Sequence, residues 1–222
     1  YGIEMHGILL LRHGKIYAQG WWSPYNPQTP HAMFSFTKSL TSTAIGFAVQ
    51  EGVLSLDDRL VDIFPDKIPE NPSEHLRQCQ VRHLLMMGCG HETEIPKWGD
   101  GDRDWISAFL HHPFVYKPGT HFLYNTAGTN LLSAILTRKT GLTLTQFLKP
   151  RLFDPLGMGD VSCYAMPDGT EMGGAGSYLT LDAMGRFTQF IANRGTWGGK
   201  RLLNEGWFDL ATSKQIENYG PG

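Results

Sequence analysis

Phe34-Ser35-Phe36-Thr37-Lys38-Ser39-Leu40 decides how this chain is understood, because it sets a serine and a lysine three residues apart at the start of a helical pattern. At 3.6 residues per turn, positions i and i+3 share one helical face, so the Lys38 amine points back at the Ser35 hydroxyl. A serine hydroxyl is a poor nucleophile at neutral pH and needs a base beside it. A lysine can be that base only when burial and neighbours lower its pKa. The spacing by itself is weak: nine lysines and eleven serines in 222 residues yield such a pair by chance in about one chain in two or three. The ordinary alternative is an N-cap serine followed by a solvated lysine. The setting favours chemistry. The approach is rich in aromatics, and the helix carries Leu40, Ala44, Phe47 and Ala48 on one face, with Gly52 placed for a left-handed residue beyond its end.

Working outward, His6–Arg12 and Lys15–Gly20 are apolar runs joined by His13-Gly14, a hairpin signature whose imperfect alternation suits strands covered on both faces. Residues 21–30 hold two tryptophans and three prolines, hence an irregular loop. Asp57 and Asp58 open a short segment that Pro65 stops, and residues 66–80 look like surface loop. Val81 to Met87 is a short apolar piece. Asp104 caps a helix to about His111, and the stretch Leu131, Leu132, Ile135, Leu136 marks a clear helix ended by Gly141. Thr143–Leu148, Thr180 to about Gly195 and Asn204–Ser213 give further helices, and Gly173-Gly174-Ala175-Gly176 between them has the composition of a flexible turn. The expected architecture is a strand pair followed by about six helices in one continuous domain.

Composition excludes several classes. The chain has 41% hydrophobic and 18% charged residues and a net charge of -2, as an ordinary globular protein does. With 19 basic against 21 acidic residues and no basic run longer than two, nucleic acid is not an expected partner. No apolar stretch approaches the roughly 20 residues of a membrane span. Cys79, Cys89 and Cys163 cannot build a disulfide framework, and localisation is left open between cytoplasmic and secreted or periplasmic.

A second constellation is Tyr124-Asn125-Thr126. A tyrosine beside a lysine cation loses its proton more readily and can shuttle protons, although a core tyrosine followed by a capping residue fits the same letters. Other readings carry less. Asp100-Gly101-Asp102-Arg103-Asp104 imitates the start of a calcium loop, but Trp105 stands where glycine and His111 where glutamate is needed. The pair His111-His112 points apart on a helix, so neither metal nor cofactor is expected. Cys89 between Gly88 and Gly90 reads as a small buried residue in a tight turn, and no G-x-S-x-G elbow occurs.

Ser35-Phe36-Thr37-Lys38 with the following Ser39-Leu40-Thr41 resembles the first motif of the penicillin-recognising serine hydrolases, in the branch of class C β-lactamases, D-alanyl-D-alanine peptidases and esterases. Colinear support comes from Gly52-Val53-Leu54-Ser55-Leu56-Asp57-Asp58, Val81-Arg82-His83-Leu84-Leu85, Pro118-Gly119-Thr120-His121-Phe122-Leu123-Tyr124 and Gly173-Gly174-Ala175-Gly176. The resemblance implies an α+β, β-lactamase-like fold: an antiparallel sheet flanked by helices, here residues 1–34 with the first strand pair, plus a mainly helical part over 35–222. It also implies that Ser35 is acylated, Lys38 accepts its proton, and Tyr124 acts as general acid/base, on a small-molecule ester, amide or β-lactam-like substrate. Thr126 and Asn125 would meet the substrate, and Trp22 and Phe36 would line or cover the site. Two departures from the family pattern stand out. The third place of its Y-x-N motif is Thr126, and no K-T-G or H-x-G triplet follows Gly176. The expectation is therefore that the C-terminal sheet strands lie outside this chain, in a C-terminal segment of the same protein. The competing expectation is an inactive, binding-only member or an inert fragment.

Overall fold

A computed structural model describes residues 2, 4–95 and 104–218. The chain opens on an antiparallel hairpin, β1 (Gly7–Arg12) and β2 (Lys15–Trp21). His13 and Gly14 at its tip have φ of 51° and 74°, the left-handed pair that a tight hairpin turn needs. β3 (His31–Ala32) leads through a single 3-10 turn, Phe34–Phe36, straight into α1 (Thr37–Gln50). Short helices follow: α2 (Leu60–Ile63), α3 (Glu74–Gln78), α4 (Val81–Leu85) and α5 (Trp105–His111). After them come α6 (Thr126–Thr140), α7 (Leu144–Leu148), a π turn over Lys149–Phe153, and α8 (Asp154–Leu156). β4 (Ser162–Cys163) and β5 (Ser177–Leu179) join β3 in a small antiparallel sheet ordered β3-β5-β4. Then α9 (Leu181–Ala192), the small ribbon of β6 (Thr196–Trp197) and β7 (Lys200–Arg201), and α10 (Glu205–Thr212) close the described chain.

The centre of the molecule is α1 packed on α6. Both are buried nearly all round: Thr37, Leu40, Thr41, Thr43, Ala44, Ile45, Gly46, Phe47 and Ala48 in one, and Ala127 through Leu136 in the other. A helix that is apolar or small on every side belongs inside a domain rather than on its face. Each fully buried leucine, isoleucine or phenylalanine there contributes about 1.5–3 kcal/mol. Asn125 caps α6 by accepting from Gly128 N–H at 2.8 Å, and Gly141 closes it with φ of 72°.

Four expectations need correction. Residues 66–80 are not all loop: Ser73 accepts from Leu76 N–H at 3.2 Å and so starts α3, which drives Leu76 into the core. The hairpin is not covered on both faces. Leu9 and Leu11 turn inward onto α9, while Ile8, Leu10, Ile16 and Tyr17 are exposed. Gly173–Gly176 is not a loose turn but is buried at Gly173, Gly174 and Gly176, as described below. The helices are also more numerous and shorter than about six, because capping residues break the polar stretches into single turns.

The hairpin sits on α9 because Gly185 has no side chain. A Cβ there would fall 2.3 Å from Leu9 Cδ2. Gly185→Ala should cost about 1–3 kcal/mol through overpacking, read as a lowered thermal midpoint. Leu9→Ala in the same background should recover part of that loss. An additive double mutant would show that the two sites do not meet.

Candidate active site

The 3-10 turn before α1 sets up the serine. Phe34 has φ of 44°, a left-handed conformation that costs a bulky side chain of order 1–3 kcal/mol. That turn throws the Phe34 ring outward, where it is 70% exposed, and turns Phe36 inward against Phe187, edge to face at 5.7 Å. Ser35 is left exposed at the head of the helix, one turn before Lys38.

Four groups meet there. The Tyr124 hydroxyl donates to Ser35 Oγ at 2.7 Å, and Lys38 Nζ donates to the same atom at 3.3 Å. The amine also donates to the Gly174 carbonyl at 2.6 Å and to Thr126 Oγ1 at 3.5 Å, and lies 4.9 Å from the centre of the Tyr124 ring. The hydrogen bond with Ser35, then the Lys38 charge, hold the Tyr124 phenol below its ordinary value of 10.0; partial burial and the Glu94 carboxylate push the other way. A phenol so placed gives up and takes back a proton more readily than a free one.

The Gly174 carbonyl is held by a strap of chain, residues 171–177, laid across α1 and α6. Thr41 Oγ1 donates to Gly173 O at 2.7 Å, Gly174 N–H donates to Asn130 Oδ1 at 2.8 Å, and Ser177 N–H donates to Thr37 Oγ1 at 3.1 Å. At the strap's start, the buried Glu171 accepts from Thr145 N–H at 2.7 Å and from its hydroxyl at 2.6 Å. Glycine is required here for space. A Cβ on Gly173 would lie 2.9 Å from Thr41 Oγ1, and one on Gly174 would lie 2.7 Å from Thr126 Cγ2 and 2.9 Å from Thr126 O.

Not every candidate reaches the site. Asn125 faces inward, because its amide is consumed by the cap on α6 and by a contact with His91 Nδ1 at 3.3 Å, and it is 2% exposed. Phe36 packs in the core instead of lining the cleft. Trp22, just past the end of β2, is 46% exposed and makes no hydrogen bond or ring contact with Ser35, Lys38 or Tyr124. Thr126 does stand beside Lys38. Cys89 is buried, which pushes its thiol up to about 11, the reverse of what a nucleophile needs. Residues 100–103 of the calcium-loop stretch lie outside the described residues, and Asp104 onward forms α5. No cluster of three or more His, Cys, Asp or Glu side chains suited to a metal occurs among the described residues. Two participants escaped sequence reasoning: the Gly174 carbonyl, which has no side chain to read, and Glu94, which accepts from Thr126 N–H at 2.5 Å. The signal for the strap was present in Thr37 and Thr41, polar residues one turn apart on a buried helix.

A sequence profile of the Beta-lactamase family matches residues 7–216. The chain belongs to that family. Lovastatin esterase of Penicillium rubens is 28% identical over 154 residues, which span 59% of this chain and 38% of that protein. A beta-lactamase of Escherichia coli K12 is 23% identical over 157 residues, covering 67% of this chain and 41% of that one. The octameric penicillin-binding protein homologue from Pyrococcus abyssi superposes with a TM-score of 0.78 at 18% identity, over 97% of this chain and 58% of that one. The fold is therefore the α+β fold of β-lactamase-like proteins. The chain spans about two fifths of the length of these curated relatives.

Within this Beta-lactamase family member, the strap is the feature whose loss is easiest to read. Gly174→Ala should force the backbone away from Thr126 and carry the carbonyl off Lys38. The expected outcome is a lowered thermal midpoint, by about 1–3 kcal/mol in stability. Ser35 should also label more slowly with a fluorophosphonate, at a temperature where the variant is still folded. Unchanged labelling would show that the carbonyl does not position Lys38.

Proposed function

We propose that the chain carries the catalytic residues of a serine hydrolase that forms an acyl-enzyme on an ester or amide. One observation carries this reading: Ser35 Oγ has Tyr124 at 2.7 Å and Lys38 at 3.3 Å at once, although Tyr124 is 89 positions away in sequence. As Oγ bonds to the substrate carbonyl carbon, its proton passes to the Lys38 amine, which takes this step in its uncharged form. The carbonyl oxygen becomes an oxyanion, for which the Ser35 backbone N–H at the head of α1 is one donor. Tyr124 gives a proton to the leaving oxygen or nitrogen as that bond breaks. In the second half Tyr124 takes the proton of an incoming water, which attacks the acyl carbon, and Lys38 returns its proton to Ser35 Oγ as the acyl bond breaks.

Thr126 inclines the site toward esters. A threonine hydroxyl makes one good hydrogen bond to a substrate, whereas an asparagine amide presents a donor and an acceptor together. A substrate amide side chain that relies on both is held less firmly, so β-lactams are the poorer class. Short-chain p-nitrophenyl esters should be hydrolysed faster than a cephalosporin by the full-length protein; the opposite order would overturn the preference.

Mass spectrometry after fluorophosphonate treatment should show one adduct, on Ser35. Its absence in the full-length protein would remove the hydrolase reading. Lys38→Ala should acylate at least a hundredfold more slowly, in line with the usual contribution of a positioned base. The pH dependence has a definite sign. Tyr124 is lowered, so the proton it gives the leaving group is lost as pH rises, with a midpoint below 10.0. The rate should fall with pH through that region, and Tyr124→Phe should abolish the fall along with most of the rate. A Tyr124→Phe variant with the parent's profile would assign the titration elsewhere.

A further inference from the structure

Tyr124 is half-exposed, yet the corner of chain that carries it is anchored from inside the molecule. The next residue, Asn125, turns its side chain into the core and uses both ends of its amide there. Oδ1 accepts from Gly128 N–H at 2.8 Å, while Nδ2 lies 3.3 Å from His91 Nδ1 and 3.7 Å from Cys89 Sγ. The Gly128 bond needs an oxygen, so the nitrogen end of the amide faces His91, and an amide nitrogen only donates. His91 Nδ1 is therefore the acceptor, and the proton of the ring sits on Nε2. The imidazole is fully buried between Phe109 and Phe114, with ring centres at 4.5 and 4.4 Å. Backbone pairing of His91 with Phe114 holds the ring's own segment in place. Burial, then the His112 ring at 4.9 Å, pushes the imidazole down to about 3, with the Phe109 backbone pulling the other way. At neutral pH it is uncharged, and Nδ1 keeps its lone pair.

We infer that His91 is a positioning residue for Tyr124: by accepting from the Asn125 amide it fixes the corner Tyr124-Asn125-Thr126 and so holds the phenol on Ser35. This rests on the serine hydrolase reading above. The 2.7 Å approach of Tyr124 to Ser35 depends on where the Tyr124 backbone is held, and Asn125 is the residue bonded to it. On the other side of Asn125, Thr126 meets Lys38 at 3.5 Å, so one corner places two of the groups around the amine. Without an acceptor at position 91, Asn125 Nδ2 is left with the Cys89 sulfur, a weak partner for a buried amide. The amide can seek another partner only by turning, which gives up the cap on Gly128 and carries Tyr124 with it. The rival role for His91 is to fill the space between Phe109 and Phe114. Filling needs volume and apolar surface; positioning needs a lone pair at Nδ1.

Two substitutions in the full-length protein separate the roles. His91→Asn keeps an accepting oxygen near the place of Nδ1 but leaves a gap, whereas His91→Leu fills the space and removes the acceptor. The readout is the fall in p-nitrophenyl ester hydrolysis at alkaline pH, as Tyr124 loses its proton. Tyr124 faces Ser35, Lys38 and Glu94; the first two hold its phenol low, so retreat from them carries the midpoint up toward 10.0. His91 itself faces Cys89, His112 and Asn125, which both variants retain. In His91→Leu the fall should move to higher pH, and kcat should drop about tenfold with KM within about twofold, as for a misplaced group. His91→Asn should keep the parent's midpoint and most of its kcat, although it packs less well. Long-range proton–nitrogen NMR of the parent reads the tautomer directly and should show a bare Nδ1 on His91; a proton on Nδ1 overturns the inference whether or not either variant folds. If His91→Leu keeps the parent's midpoint and kcat, or His91→Asn is displaced as far as His91→Leu, His91 only fills space and the inference fails while the hydrolase reading stands. If the parent forms no Ser35 adduct and cleaves no ester, the hydrolase reading fails and takes this one with it.

Discussion

The structure depends on one close approach: a backbone strap at Gly173 and Gly174 lying directly on two buried helices. α1 and α6 contribute Thr37, Thr41 and Asn130 to hold it, and the strap returns a carbonyl to Lys38. No residue with a Cβ fits at either glycine. The helices must therefore pack at the spacing the strap allows, and the strap must lie where the helices allow. Site geometry and core packing are here a single constraint, so the amine is placed by the same contacts that hold the domain together.

The electrostatics follow from that placement. A lysine amine pinned by a carbonyl, a serine hydroxyl and a threonine hydroxyl sits with its charge over the ring of Tyr124, and the tyrosine responds by holding its proton less tightly. Glu94 pulls Tyr124 in the opposite direction from the far side of Thr126. The tyrosine is thus set between two opposite charges. This is how a phenol with an ordinary value far above neutrality is brought toward useful chemistry while remaining able to give its proton back.

Much of this was legible from residue order. The i, i+3 relation of Ser35 and Lys38 is a property of helical geometry, and the hairpin tip at His13-Gly14, the cap at Asp104 and the closure at Gly141 are local signals that tertiary structure did not override. Contacts formed by chain reversal were not legible. Nothing between Ser35 and Tyr124 demands that they meet, and the meeting comes from α6 folding back on α1. Asn125 shows the opposite failure. In sequence it stands beside Tyr124, but a helix start turns consecutive side chains in different directions, and a capping role took it into the core. The glycine run misled for a related reason: glycines signal freedom when solvent surrounds them and confinement when helices do, and the letters are the same for both. α3 was lost inside a polar stretch because a five-residue helix buries only Leu76 and leaves almost no periodic trace.

The strap has a further consequence, for how such a site can diversify. A floor made of backbone groups offers no side chain to exchange, and Thr41, Asn130 and Thr37 are tied to it by hydrogen bonds. Variation is left to the rim, where Phe34 and Glu94 stand exposed beside the site. The molecule is divided into a part that inheritance can barely alter and a part it can alter freely. New substrates would be acquired by changing the rim, while the arrangement of serine, lysine and tyrosine passes on intact.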